Sequence, residues 1–468
     1  MISATHISIS AIALDLGTTA VKAGLLDGEG NLVATVSQPA PPVAANQGRY
    51  ESDALAYALA AEQALAECLA EAGSVPPLGL CSQRSSFLVW ERASGRPVTR
   101  LISWQDTRGA ASCAALRDQE DVIRELTGLR LTPYYFAPKL RVVLHEQPEL
   151  RAGLMGGELL AGTLDTFLIW RWTGGRQFVT DASMAARTLL MAFRSQRWSP
   201  TLCELFGVPP TMLPAIRPSA GLNLQLENGV MLQASMGDQS GALVASIGAA
   251  SSDVLVNLGT GGFALRYLGE GDAVQAGYLR TLVYQDGNRR VHAAIEGTLN
   301  SLAAALAPYP AGECSIGDFA RDDIFCLAEP SGLGAPYFRD DLGMRFSASV
   351  AHLPPQRIAC LLLEGIVFRV ARILEDFHRT SAIGRLFLSG GLSELACLQQ
   401  GIALCAPCEV FRLRQKDASL QGAGLLAAGL ESAHRAAAEK VMLTRHDGAL
   451  HEKFGRWKAW FDGLLQPA

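Results

Sequence analysis

The stretch Ile12-Ala13-Leu14-Asp15-Leu16-Gly17-Thr18-Thr19 decides how the rest of the chain is read. Its first three residues are an apolar run that reads as a buried strand, and the next five close it in a turn. Glycine in such a turn lets backbone N–H groups approach an anion, and threonine adds a hydroxyl donor, so this is a phosphate cradle. A related turn, Asn257-Leu258-Gly259-Thr260-Gly261-Gly262, closes a second apolar strand, Val254-Leu255-Val256. Only the first turn opens with a carboxylate, so only it could help hold a cation beside phosphates. Either turn alone reads more simply as an ordinary hairpin bend. Together they predict a nucleotide clamped between two similar domains.

Composition sets the bounds. At 468 residues the chain is too long for one core and fits two domains of ordinary size. A hydrophobic content of 49% with 18% charged residues describes a well-filled globular protein. The net charge of -5, without a Lys/Arg cluster along any face, argues against nucleic acid and anionic membrane as partners. No uncharged apolar stretch approaches the roughly 18 residues of a membrane span. Met1 to Ser10 lacks a basic segment followed by an apolar one, so no secretory signal is expected. Ten cysteines are scattered singly, apart from Cys405-Ala406-Pro407-Cys408. No second CxxC or His pair at metal spacing accompanies that pair. It reads as buried thiols in a reducing cytoplasm, not as a redox pair or half a zinc site.

Strands and helices alternate, which predicts α/β layers. Ala23-Gly24-Leu25-Leu26 continues the first hairpin past Lys22, with a turn at Asp27-Gly28. Ser52 is placed to cap a helix through Leu55, Leu59 and Leu69 that Gly73 ends. Pro76-Pro77 then breaks the chain before a strand, Leu78-Gly79-Leu80-Cys81. From Leu361 to Phe377, helical spacing puts Leu363, Ile366, Val370, Ile373, Leu374 and Phe377 on one face. The charges Arg369, Arg372, Glu375 and Asp376 mostly face elsewhere, and Glu375-Asp376 reads as a solvated helix end. Arg385-Leu386-Phe387-Leu388 reads as a short buried strand entering Ser389-Gly390-Gly391, with a helix from near Ser393-Glu394. No low-complexity linker separates the halves. The expected boundary lies in the Gly- and Ser-rich stretch between Gly237 and Ser252, giving domains 1–245 and 246–468.

Common nucleotide signatures are absent. There is no Gly-Lys dipeptide and so no Walker-type P-loop. Gly259-Thr260-Gly261-Gly262 lacks the spacing of a dinucleotide fingerprint, and the protein-kinase motif set is missing.

Motifs run collinearly from Leu14 to Gly424. They begin with Leu14-Asp15-Leu16-Gly17-Thr18-Thr19 and Lys22, Ser82-Gln83-Arg84, and Trp104-Gln105-Asp106-Thr107-Arg108. Gly162-Thr163-Leu164-Asp165-Thr166-Phe167-Leu168-Ile169-Trp170, Thr180-Asp181-Ala182-Ser183, Met212-Leu213-Pro214 and Gly237-Asp238-Gln239 follow. The Leu258–Phe263 turn, Gly332-Leu333-Gly334-Ala335-Pro336-Tyr337, Glu364-Gly365-Ile366, Ser389-Gly390-Gly391 and Gly422-Ala423-Gly424 complete the series. In this order they resemble the FGGY carbohydrate kinases, the group that includes glycerol kinase, xylulokinase and ribulokinase.

The resemblance implies an actin-like ATPase fold: two ribonuclease-H-like domains flanking a cleft, with ATP mainly on the C-terminal side. It implies magnesium held through water by Asp15, with Thr18 and Thr19 meeting the γ-phosphate and Lys22 among the ATP-binding residues. Gly259, Thr260 and Gly261 would line the phosphate path. Gly390 and Gly391 would lie under the adenosine, where side chains would block the purine. Arg84, Tyr134, Asp238 and Gln239 would bind a small sugar, ketose or polyol, with Asp238 as general base. An alcohol must lose its proton as its oxygen attacks phosphorus, and a carboxylate within hydrogen-bond reach accepts it. Charge on the transferring phosphoryl group calls for magnesium and aimed N–H donors. Gly237 would let the backbone pass close to the substrate. Without the family pattern, Asp238 reads as a helix N-cap, Asp15 as a turn former and Arg84 as a surface residue.

The chain departs from the family in places. Ser85 stands where glycerol kinases have glutamate, which removes an acceptor for two adjacent hydroxyls. Gln83-Arg84-Ser85-Ser86 is not the Gln-Met-His-Gly of xylulokinases. Pro133 to Lys139 keeps the family's lysine, but Val142 replaces a tryptophan. Glu394 occupies the place of an adenosine-contacting asparagine, and Asn300 to Ser331 looks short. These changes motivate a second reading, a catalytically weak nucleotide- and sugar-binding sensor. A third is a sugar-independent ATPase of the chaperone or filament kind, which would have no need of an Arg84–Tyr134–Asp238 set. Dimers occur in the family, which leaves a homodimer open, although no stretch here reads as an interface.

Overall fold

The apolar runs of the two halves build two sheets with one shared strand pattern. The computed structural model describes residues 8–248, 252–269, 272, 274–414, 416–444 and 448–466. Most of Met1–Ser10, and residues 249–251 of the Gly237–Ser252 stretch, lie outside the described residues. The first sheet contains β1 (Ile9–Leu16), β2 (Ala20–Asp27), β3 (Leu32–Pro39), β4 (Leu78–Ser82), β5 (Ala220–Gln225) and β6 (Met231–Gly237). Its order is β5-β6-β4-β1-β2-β3. The second contains β7 (Asp253–Leu258), β8 (Gly262–Tyr267), β9 (Leu279–Gln285), β10 (Val291–Leu299), β11 (Arg385–Ser389), β12 (Glu409–Leu413) and β13 (Ala438–Lys440), in the order β9-β10-β8-β7-β11-β12-β13.

Read from β3, the first sheet runs antiparallel, antiparallel, parallel, parallel, antiparallel. Read from β10, the second repeats that succession. In both, the hairpin that opens the unit is followed by strands lying parallel to its first strand. The chain divides into two units, one of Met1–Gly248, Thr281–Ala293 and Asp417–His434, the other of Ala249–Arg280, Ala294–Lys416 and Arg435–Ala468.

In the first unit, alternation along β1 splits the core. Ile12, Leu14 and Leu16 pack with Tyr57, Ala61 and Leu65 of helix α1 (Ala54–Ala72). Ala13 belongs to a separate cluster with Ala245, Leu420 and Leu425. Leu420 and Leu425 lie on a helix (Ala418–Ala428) whose sequence position is far from β1. That helix packs without room for a side chain. A Cβ on Gly422 would lie 1.9 Å from the Gly241 carbonyl oxygen, and one on Gly79 would lie 2.0 Å from that of Ala423. Backbone faces backbone at both points, so neither contact can relax by rotating a side chain. Gly422→Ala is expected to cost about 3 kcal/mol or more in denaturant unfolding. A midpoint equal to that of the unsubstituted chain would refute this packing.

Several elements differ from the sequence expectation. The cap of α1 is Asp53, whose carboxylate accepts from the N–H groups of Leu55 and Ala56. Ser52 is instead buried, its hydroxyl donating to the carbonyls of Pro41 and Pro42. Leu55 and Leu59 are exposed, because the helix turns its alanine face inward and lies close to the sheet. Gly73 does end it, at φ +64°.

In the second unit, the helix from Pro355 to Thr380 buries the predicted apolar face. It also buries Arg369, which donates to Glu329 at 2.6 Å. Asp376 is buried too and accepts from the Tyr278 hydroxyl at 2.7 Å. The solvated-end reading therefore fails for Asp376, although Glu375 is partly exposed and pairs with Lys458. Each buried charge has a partner that offsets its desolvation. Among the described residues no helix is long and apolar enough to cross a membrane.

Candidate active site

β1, β4 and β6 are parallel neighbours in register. Asp15 lies opposite Cys81, Cys81 opposite Met236, and Ser82 opposite Gly237. Asp15, Arg84 (just beyond β4) and Asp238 (just beyond β6) therefore leave the sheet at one edge. Two strand spacings of about 4.8 Å, with Asp238 two residues beyond the register partner of Asp15, put the two backbones roughly 12 Å apart. Ligands in α/β sheets gather beyond the carboxyl ends of the strands.

Asp238 is the first residue of helix α2 (Asp238–Ile247), and Gly237 takes the cap position. The N-cap alternative for Asp238 thus falls away. Its Oδ1 accepts from the Gln239 N–H at 2.7 Å and lies 3.6 Å from Arg84 Nε. Arg84 also donates to the Gln239 side-chain oxygen. A Cβ on Gly237 would come within 2.7 Å of Arg84 Cδ, so this glycine makes room for the arginine that faces the acid.

Asp238 keeps 36% of its side chain accessible. Even so, the bulk of protein around it raises its pKa; Arg84, the Gln239 N–H and Arg187 pull the other way. Asp15 is pushed up to about 6, chiefly by burial and partly by the charge of Asp238. Ser419 donates to Asp15 Oδ2 at 2.6 Å, while Oδ1 is buried with no partner at hydrogen-bonding geometry. Two acids thus share this edge, and each opposes ionisation of the other.

The other expected residues of this unit fare unequally. Lys22 pairs with Asp417 at 2.6 Å. The Thr18 hydroxyl accepts from Trp104 Nε1 at 3.0 Å. Thr19 is exposed in the same turn. Tyr134 is 48% exposed, and no hydrogen bond joins it to the Arg84–Asp238 pair.

Four contributors were not read from the sequence. Ser419 and Asp417 come from the distant helix start that contacts Asp15 and Lys22. Arg187 is buried and lies near enough to Asp238 to hold its pKa down. Lys139 was noted only as a family lysine. It is fully buried, donates to the carbonyls of Ser85 at 2.9 Å and Ser103 at 2.8 Å, and burial lowers its pKa to about 7. It ties the turn carrying Arg84 to the one carrying Trp104. Ser85, at φ +63°, donates its hydroxyl to the Arg187 carbonyl at 3.0 Å. Only the Lys in the Pro133–Lys139 stretch and the Ser419-side glycines carried any sequence signal for this layer.

The second unit gathers its expected residues at the corresponding edge. Asn257 of β7 lies opposite Ser389 of β11, and its amide donates to the Ser389 hydroxyl at 2.9 Å. The turn after β7 is tight, with the Gly259 N–H donating to Gly261 O at 2.7 Å. Thr260 O accepts from the Ala303 N–H at 3.1 Å. Gly390 has φ +88°, and a Cβ there would lie 2.4 Å from the Leu258 carbonyl oxygen. The fold of the unit therefore demands glycine at Gly390 whatever binds. A Cβ on Gly391 would meet nothing within 4 Å, so that position faces open space. Glu394 pairs with Arg412 at 2.6 Å.

The chain as a whole is similar to known proteins. Residues 10–256 match the family model described as the FGGY family of carbohydrate kinases, N-terminal domain, and residues 254–430 match its C-terminal domain. An apulose kinase from Pectobacterium atrosepticum is 31% identical over 439 residues, covering 89% of this chain and 88% of that protein. A glycerol kinase from Cereibacter sphaeroides is 31% identical over 481 residues, covering 95% and 97%. Among solved structures, Plasmodium falciparum glycerol kinase with ADP superposes with a TM-score of 0.86 at 21% identity, covering 99% of each chain. A ligand-bound xylulose kinase from Lactobacillus acidophilus gives 0.79 at 18% identity, covering 97% and 98%. The family match spans the first sheet and all but the last strand of the second, and the chain belongs to the FGGY family of carbohydrate kinases, phosphotransferases built on two actin-like ATPase domains.

Proposed function

We propose that this enzyme transfers the γ-phosphoryl group of ATP to a hydroxyl of a small sugar, ketose or polyol, with Asp238 as general base. The carrying observation is the Asp238 carboxylate at a helix start, part-exposed, with Arg84 3.6 Å away and Gln239 held by the same arginine. Arg84 and Gln239 orient substrate hydroxyls beside the acid. Asp238 takes the proton of the attacking hydroxyl as its oxygen approaches phosphorus. Arg84 and Arg187 favour the ionised state that this step needs. Tyr134, exposed in the free chain, is assigned to the substrate on the family pattern alone.

Thr18, Thr19 and Lys22 in the first unit, with Gly259, Thr260 and Gly261 in the second, are assigned to the phosphates. Gly390, Gly391 and Glu394 are assigned to the adenosine. The Asp15 carboxylate, with its unpartnered buried Oδ1 and raised pKa, fits a missing counter-charge, and we assign it to Mg²⁺. When bound, that ion would neutralise charge on the phosphates. The proposed division of labour gives residues 1–245 the substrate and the first phosphate turn, and 246–468 the nucleotide. We also place the enzyme in the cytoplasm, whose reducing poise suits a chain with ten free cysteines.

A screen of polyols and ketoses for stimulated ADP release tests the reading. At least one compound is expected to raise ADP release well over tenfold. No ADP release, with or without any compound, would favour a sensor. Equal ADP release with and without sugar would favour an ATPase of the filament kind.

A further inference from the structure

We propose that Cys314 and Cys360 form a peroxide-sensitive dithiol that closes reversibly to a disulfide. Cys314 ends a tight turn (Ala311–Glu313), and Cys360 sits in the first turns of the Pro355–Thr380 helix. Their sulfurs lie 3.0 Å apart, in contact but unbonded, with 46 positions of chain between them. Disulfide formation shortens this to about 2.0 Å.

Access and charge both favour this pair. Cys314 is partly exposed, whereas Cys360 is fully buried behind it. Of the ten cysteines, only Cys360 has its pKa lowered: the hydrogen bond with Cys314 is the main cause, and the Arg357 guanidinium helps. Cys314 moves in the opposite direction for the same reason, so the contact eases loss of the pair's first proton and opposes loss of the second. The other eight thiols are all raised, chiefly by burial, and no second pair of sulfurs makes contact among the described residues. No group of three His, Cys, Asp or Glu able to hold a metal occurs among the described residues, so the chemistry offered is thiol oxidation.

The oxidant is hydrogen peroxide. Once the pair has lost its first proton, the remaining one passes across the 3.0 Å contact to Cys360, and the accessible Cys314 thiolate attacks one peroxide oxygen as the O–O bond breaks. Cys314 becomes a sulfenic acid, and the departing hydroxide leaves as water after gaining a proton. The Cys360 sulfur then attacks the Cys314 sulfur. The S–S bond forms, the S–O bond breaks, and a second water leaves with the Cys360 proton. Two thiols and one peroxide thus give one disulfide and two waters.

The test treats the reduced full-length enzyme with about one equivalent of hydrogen peroxide, blocks remaining thiols, and maps peptides without reduction. A linked Cys314–Cys360 peptide is expected, with two thiols lost and recovered by dithiothreitol. The oxidised enzyme is expected to melt about 5 °C higher, because the link constrains a long loop in the unfolded chain. Cys314→Ser, at a partly exposed position, should fold normally, form no link and lose the melting shift. Oxidation of Cys113 or Cys408 ahead of this pair would overturn the proposal. So would sulfinic acid at Cys314 without a link, or an unchanged thiol loss in Cys314→Ser.

Discussion

Asp238→Asn is expected to lower the turnover of sugar phosphorylation about a thousandfold, while the Kd for ATP changes by less than about threefold. The amide has the shape of the acid, can still accept from the Gln239 N–H, and leaves the Arg84–Gln239 contact in place. What it lacks is a site for the proton of the attacking hydroxyl. Substrate binding should weaken only modestly, so the loss should fall on kcat and not on KM. Coupled ADP-release kinetics and calorimetric ATP titration on the same preparation separate the two. Turnover within threefold of the unsubstituted enzyme would remove Asp238 as the base. A lost ATP affinity would instead mean that the substitution had disturbed the fold.

Asp15→Asn should move activity and stability in opposite directions. Its pKa in the folded protein is about 6, against an ordinary value of 3.8. The unfolded chain therefore gives up this proton at lower pH than the folded one. Keeping the carboxylate folded costs stability progressively as pH rises between those two values, and the full cost stands above about 6. An asparagine carries no charge to desolvate. The ligand-free variant is expected to be more stable at pH 7.5 by about 1–2 kcal/mol, with the gain vanishing near pH 4. Magnesium-dependent phosphorylation should fall at least a hundredfold, because the unpartnered Oδ1 no longer carries charge for the ion. Thermal melts at the two pH values, with a magnesium titration of activity, read both effects. A variant that melts lower at pH 7.5 would contradict the burial argument. Unchanged magnesium-dependent activity would remove Asp15 from the metal.

These experiments bear on residues that were legible before any fold was known. Asp15, Arg84, Asp238 and the two Gly-Thr turns stand next to strands, and strands announce themselves by local apolar runs. Where the reading erred, a nonlocal partner had overridden a local pattern. Ser52 resembles a cap as well as Asp53 does, but its hydroxyl goes to Pro41 and Pro42. Leu55 and Leu59 look like the inner face of a helix, yet close approach to the sheet selects the alanines. Asp376 looks solvated until Tyr278, remote in sequence, covers it.

The sequence by itself determined the family, the α/β class, the strands that precede the two Gly-Thr turns and the acids at their ends. The family follows from the collinear motifs that the chain shares with it, and the rest from short-range spacing of apolar residues, glycine and carboxylates. The tertiary structure decided which distant groups tune them: Ser419 on Asp15, Asp417 on Lys22, Arg187 beside Asp238, and Lys139 beneath Ser85. It also decided that Gly390 is required by the Leu258 carbonyl and that Cys314 touches Cys360. Burial and charge depend on what the folded chain brings within a few ångströms, and no local spacing encodes that.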